Sequence, residues 1–230
     1  MVEAQHHIST MKLTDNAAEQ ALLEQLIEST KPAIPPECSH LDFLLFTPFR
    51  YAPYPRGSRL RRAGFTSGIF YGSEAPETAL AEACFYRLLF FHESPDTPWP
   101  GNAGEYTAFA CEYATGRAID LTQPPFTDRR ATWMHPTDYA QCQHLADLAR
   151  EGRIEVIRYE SVRDPVHRAN IALLTCKAFA STEPVARLSW RILLGGNGAR
   201  ARCEMPHQIL EFDRAAFSAD PRIAAMRWHR

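Results

Sequence analysis

Apolar positions along the chain switch between helical and strand spacing, and the order of the switches predicts one α+β domain with appendages at both ends. Residues 14–30, TDNAAEQALLEQLIEST, carry Leu22, Leu23, Leu26 and Ile27 at helical spacing behind Thr14 as the capping residue. Such a stripe must pack on something. The segment KPAIPPE that follows excludes helix and gives a stiff, extended connection. From Ser39 to Phe49 the chain is too apolar for the surface, and residues 68–72, GIFYG, read as a short glycine-bounded strand. Residues 73–78, SEAPET, are a helix start with Ser73 as cap, Pro76 in the first turn and acids near the positive end of the dipole. The helix they open is almost wholly apolar. Residues 92–106, rich in proline and glycine, form a loop long enough to serve as a flap over a pocket.

Strands are expected at 106–113 and 117–121, and a helix at 137–150 with Tyr139, Cys142, Leu145 and Leu148 on one side. RIEVIRYESVR reads as a buried strand with Tyr159, Ser161 and Arg163 on one face. Further strands follow in NIALLTCKAF, RLSWRILL, ARARCE and HQILEF, with GGNG as a hairpin turn. The last 18 residues read as a peripheral helix or turn with a basic end, packing, like the N-terminal helix, outside the domain. The expected boundaries are 1–38 for the N-terminal helix and linker, and 39–230 for the domain with its tail.

Composition narrows the possible partners. A chain of 230 residues, 45% hydrophobic and 23% charged, is enough for one substantial core, and a net charge of −2 argues against direct nucleic-acid binding. The six cysteines are widely spread, with neither a metal pair nor a small disulfide framework, and read as reduced. No apolar run is long enough for a membrane span, and the N-terminus lacks the features of a signal peptide, so a cytoplasmic location is expected. Of nine histidines only His6 and His7 are adjacent, which offers no ligand set for a metal. GGNG stands between two strands with no helix after it, and no phosphate-binding P-loop occurs, so neither nucleotide fingerprint is present.

The candidate chemistry centres on Glu82. Ala79, Phe85 and Tyr86 are its neighbours on the helix face, so a carboxylate emerges among apolar and aromatic groups. One account is a partly buried acid answered by an arginine, Arg87 or another. The other starts from the strand, turn and helix that deliver Tyr71 and Glu82 to one neighbourhood. Upstream, Arg50 and Tyr51 follow buried chain, where an arginine needs a carboxylate or phosphate partner. In the run Arg56, Arg59, Arg61 and Arg62, Arg59 is the member assigned to the pocket and the others to a solvated edge. Forked donors, tyrosines and one acid suit a flat cationic ring, a sugar and a diphosphate.

FRYAPYPRGSRLRR, GIFYGSEAPETALAE and IRYESVRDPVHRANIAL together resemble the RES-domain family, named for an Arg, a Glu and a Ser. Arg50, Glu82 and Ser161 fall on those three positions, and Tyr51 and Tyr71 on its usual tyrosines. The resemblance implies an ADP-ribosyltransferase-like fold with a split, mostly antiparallel sheet around an NAD cleft. It also implies the toxin of a bacterial toxin–antitoxin pair, whose antitoxin carries an Xre-like helix-turn-helix and blocks the pocket. NAD is then the substrate, cleaved between nicotinamide and ribose without a metal, with ADP-ribose passing to a protein target, or to water or phosphate. On that reading Glu82, Arg50 and Ser161 are catalytic, and Arg50, Tyr51, Arg59, Tyr71 and Ser161 bind NAD. Ser161 supports rather than attacks, because neither His144 nor His167 stands in a base pattern with it. A non-catalytic module binding NAD or a protein is the alternative from another class.

Overall fold

The computed structural model describes residues 1–3, 8–51 and 53–229, so the His6–His7 pair lies outside it. The helices are α1 (Ile8–Met11), α2 (Ala17–Ser29), α3 (Phe43–Arg50), α4 (Pro76–Glu93), α5 (Arg130–Trp133), α6 (Ala140–Glu151) and α7 (Pro221–Ala224). The strands are β1 (Val2–Glu3), β2 (Phe70–Ser73), β3 (Gly104–Ala110), β4 (Ala118–Asp120), β5 (Val156–Glu160), β6 (Ala169–Leu173), β7 (Ala186–Gly195), β8 (Gly198–Cys203) and β9 (Gln208–Asp213). They form two sheets, one ordered β1-β3-β7-β8-β9 and the other β2-β6-β5-β4. Every pairing is antiparallel except that of β4 with β5.

Each strand's sequence matches its place. β6, ANIAL, is buried at all its positions and lies between β2 and β5, as a continuous apolar run requires. β7 alternates, with Trp190, Ile192 and Leu194 turned to the core and Arg187, Ser189 and Arg191 to solvent. The β7–β8 hairpin closes through Gly195 paired with Gly198. Gly198 has φ +120°, and a Cβ there would stand 2.1 Å from the Phe212 carbonyl oxygen, so the position demands glycine.

α4 is buried on several sides, by Leu80, Ala81, Cys84, Phe85, Leu88 and Phe91, and packs with the inner face of the five-stranded sheet. It begins at Pro76 with Ala75 as the capping position, not at Ser73, because β2 runs on through Ser73. α6 sits on the four-stranded sheet through Cys142, Ala146 and Ala149. Leu148, expected on its buried side, is half exposed.

The N-terminal helix differs from expectation. Asn16, not Thr14, caps α2, its Oδ1 accepting the N–H groups of Ala18 and Glu19 at 3.0 Å. No residue of α2 is buried, and Leu22 and Leu26 are each 56% exposed, so its stripe does not pack on the domain.

The cysteines also need correction. Cys38 and Cys176 form a disulfide across 138 positions, a pairing between two 3-10 turns that spacing does not reveal. Cys84, Cys111, Cys142 and Cys203 are free thiols. Reduction is expected to remove about 2–4 kcal/mol of stability by freeing a long loop in the unfolded chain. Melting curves with and without reductant check this. No helix among the described residues is long and apolar enough to cross a membrane.

Candidate active site

A cavity of 1050 Å³ is lined by β2 and β6 from one sheet, by β3 and β7 from the other, and by the face of α4 that carries Glu82. The Glu82 carboxylate is held in a defined way. Its Oε1 accepts two hydrogen bonds, from the Ser161 hydroxyl at 2.7 Å and from the Asn170 amide nitrogen at 2.7 Å. Both donors are themselves constrained. Ser161 Oγ accepts the backbone N–H groups of Arg163 and Asp164 at 3.2 and 3.0 Å, which leaves its proton for Glu82. Asn170 Oδ1 accepts the Ser73 hydroxyl at 2.6 Å, which fixes the amide with its nitrogen toward Glu82. Glu82 Oε1 is therefore presented to donors alone.

No arginine or lysine pairs with Glu82 among the described residues, so the account of an acid answered by an arginine does not describe it. Arg87 lies over the Phe90 ring, 5.7 Å from its centroid. The other acids on the cavity wall are Glu74, paired with Arg158 at 2.9 Å, and Glu93, 4.0 Å from Arg56. Glu82 differs from both in having only uncharged partners and an Oε2 that accepts no hydrogen bond within the described chain.

Tyrosines and arginines form much of the remaining wall. Tyr71 Oη lies 2.8 Å from Ser58 Oγ and accepts the Leu60 N–H at 3.3 Å. Burial raises the Tyr71 phenol above its usual value. Tyr86, one turn beyond Glu82, is raised by burial and by the Glu82 charge, and Tyr159 by burial first. All three are neutral phenols at physiological pH. Arg59 donates to the carbonyls of Trp133 at 2.7 Å and His135 at 3.1 Å, and its guanidinium stands 4.7 Å over the Tyr139 ring. Arg61, assigned to a solvated edge from sequence, lines the cavity instead, 4.8 Å over the Tyr54 ring. The reason is a tight turn in which Ser58 and Arg61 bridge each other's backbone.

Glu82, Ser161, Tyr71 and Arg59 are thus brought to one place, Ser161 as a fully buried support behind Glu82. His167 meets Ser161 at the carbonyl, not the hydroxyl, so it does not stand as a base on that hydroxyl, which donates to Glu82. Arg50 and Tyr51 are placed elsewhere. Arg50 Nη1 pairs with Glu28 at 2.6 Å and its Nε donates to the Pro32 carbonyl at 2.5 Å, which ties it to α2 and the linker, away from the cavity lining. The required carboxylate partner exists, but it is in the N-terminal helix. Tyr51 packs against Tyr54, ring centroids 6.5 Å apart, and is also absent from the lining.

The 92–106 loop is no flap over this cavity. Trp99 lies against Phe91 and stacks on Trp228 at 6.2 Å, and it donates to the Trp228 carbonyl at 3.1 Å. The C-terminal tail is not peripheral either. Phe217, Ile223 and Met226 join the core around α4, and Arg222 lines the cavity. Sequence reasoning missed Asn170, Tyr86, Tyr139 and Arg222. Tyr86 was legible as a helix-face neighbour of Glu82; Asn170 comes from β6, Tyr139 from the start of α6 and Arg222 from α7, and no local pattern states how these meet.

The RES domain model of known families matches residues 34–193. The chain belongs to the RES-domain family. Membership carries an ADP-ribosyltransferase-like fold, here two mostly antiparallel sheets, and a family-level association with NAD-acting enzymes of toxin–antitoxin systems. Among curated proteins, none matches the chain. The RES match spans α3, α4, both central strands of the four-stranded sheet and the three segments singled out by sequence. α2 and everything after β7 lie outside it. No group of three or more potential ligands is placed to hold a metal among the described residues.

Ser161→Ala and Asn170→Ala each remove one donor to Glu82 Oε1. Each substitution is expected to lower turnover roughly tenfold with little change in KM, since a hydrogen bond to a charged group is lost. Steady-state kinetics of the NAD-dependent activity associated with the family check it.

Proposed function

We propose that this RES-domain protein consumes NAD by cleaving the bond between nicotinamide and ribose, with Glu82 as the acting carboxylate. The observation that carries the reading is a carboxylate on a cavity wall with no charged partner among the described residues, one oxygen held by two neutral donors and the other accepting no hydrogen bond from the described chain. Cleavage of an N-glycosidic bond passes through a transition state with positive charge on the sugar, which a carboxylate stabilises. Nicotinamide is already cationic in NAD and departs neutral, so no second acid is needed to protonate it.

The other residues take roles that follow from their positions. Tyr71 and Tyr86 offer neutral aromatic faces to the nicotinamide ring, a contact stronger for the cationic substrate than for the released base. Arg59 and Arg61 supply cations for the diphosphate, neither of them paired with a carboxylate in the described chain. Ser161 and Asn170 hold Glu82. Arg50 and Tyr51 are left out of this set by their placement. NAD is the substrate in this scheme, and a cavity of 1050 Å³ has room for it.

For the acceptor of ADP-ribose, the reading favours water or phosphate over a protein side chain. The features that suggested a protein acceptor were the longer N-terminus and the 92–106 loop; of these only Met1 and Glu93, the last residue of α4, reach the cavity lining, and the loop itself is held on Trp228 through Trp99. A cognate antitoxin with an Xre-like helix-turn-helix, covering the cavity, is the partner proposed with it. The test is to incubate the protein with NAD and follow free nicotinamide with and without phosphate, alongside transfer of labelled ADP-ribose to proteins of a cell extract. Nicotinamide release is the expected result, with label recovered in small products. Label on protein would restore the transferase reading. No release and no labelled protein from a folded chain would overturn the enzyme reading and leave a binding module.

A further inference from the structure

The C-terminal segment lies beyond residues 34–193 and yet reaches the cavity. Its anchor is Asp220, whose side chain is fully buried and shared by two arginines. Arg163 Nη1 stands 2.9 Å from Asp220 Oδ2, while Arg222 makes a two-pronged contact, Nε to Oδ1 at 3.0 Å and Nη2 to Oδ2 at 2.8 Å. The same carboxylate caps α7 by accepting the Arg222 N–H at 2.9 Å. Two guanidinium groups meet one carboxylate, so one positive charge remains uncompensated at this wall.

The two arginines differ in what they have left to offer. Arg163 is 5% exposed and fully engaged: its Nη2 donates to the Pro136 carbonyl at 2.6 Å and to the Tyr139 hydroxyl at 3.2 Å, and its guanidinium lies 3.8 Å over Phe85. Arg222 is 35% exposed at its side chain and lines the cavity. It shares the Tyr139 neighbourhood with Arg59, which sits over the ring of that tyrosine. Arg59 is held by carbonyls, with no carboxylate among its hydrogen-bond partners. The wall around Tyr139 therefore carries two cations in excess, one from each side, in the cavity that holds Glu82.

We infer that Arg222 contacts an anionic phosphate oxygen of the substrate, so that the C-terminal segment adds a further cation to the diphosphate site formed by Arg59 and Arg61. The inference rests on the NAD reading above and adds a substrate-binding residue from outside the family-matched region. Asp220 preorganises it by holding one edge of the guanidinium, Tyr139 and the Phe85 ring flank it, and its exposed third faces the cavity. Arg163 also reaches the cavity lining, but its bonds to Asp220, Pro136 and Tyr139 commit it to holding the tail in place.

Arg222→Ala leaves Asp220 paired with Arg163, so the fold is retained. The measurement is kcat and KM for NAD at about 50 mM and about 300 mM salt. The variant is expected to raise KM roughly tenfold with kcat within about threefold, and its KM is expected to respond less to salt than that of the unaltered protein. Arg222→Lys is expected to recover part of the loss, and it carries the same test should the alanine variant melt early. An unchanged KM, or a fall in kcat with KM and its salt response intact, would overturn the inference while leaving the NAD reading standing. An unaltered protein that releases no nicotinamide would remove both.

Discussion

Glu82→Gln is expected to abolish nicotinamide release, by at least about 100-fold in kcat, while leaving the fold intact. Glutamine is nearly isosteric, and its carbonyl oxygen can occupy the Oε1 position, accepting from Ser161 and Asn170 as the carboxylate does. What disappears is the negative charge, the property that acts on a positive sugar in the transition state. Circular dichroism and a melting curve matching the unaltered protein, together with lost turnover, are the paired outcome. Retained turnover in a folded Glu82→Gln protein would show that the charge is not what the cavity uses.

Asp220→Ala is expected to cause the largest loss of stability of any single substitution considered, about 3–5 kcal/mol. It leaves Arg163 buried without its counter-charge, frees Arg222 and removes the cap of α7. The tail then loses its electrostatic hold on Arg163 in the segment after β5, although Phe217 still packs on Phe85 of α4 at 5.8 Å. Chemical denaturation measures the loss; a change below about 1 kcal/mol would mean that the arginines find other partners. The same carboxylate sets part of the acid limit. Burial by itself would raise the Asp220 pKa, but hydrogen bonds from Arg222 and the charges of Arg163 and Arg222 outweigh it and hold the group below its ordinary 3.8. Asp164 is depressed likewise, against burial, by bonds from Thr78, Val166 and Arg168. Groups with lowered folded values stabilise above their unfolded value and lose that contribution as pH falls through the folded one. Stability should therefore decline below about pH 4, less steeply in Asp220→Asn.

Much of the site was readable because it lies on short stretches with strong local patterns. Tyr71 and Glu82 sit on a strand and the helix that follows it, eleven positions apart, so chain connectivity alone brings them together. Ser161 was legible by its motif, and its supporting role by the absence of a histidine base pattern; that it supports Glu82 comes from the structure. Arg50 shows the limit of such reading. Its burial correctly demanded an acid, but local sequence could not say which one, and Glu28 from α2 competes for it. Arg61 was misjudged for a related reason: a run of arginines reads as a solvated edge, and a backbone turn brings this one to the cavity.

The amino-acid sequence determined the succession of elements, the α+β class, the apolar helix with its single acid and the RES-domain membership, because these depend on period, turn chemistry and motif spacing within a few residues. Only the tertiary structure decided that Asn170 shares Glu82 with Ser161, that Cys38 meets Cys176, and that the tail enters the cavity wall through Asp220 and Arg222. Each of these joins residues separated by dozens to well over a hundred positions. Such pairings follow from how two sheets and a helix close on one core, a property of the whole chain and not of any segment in it.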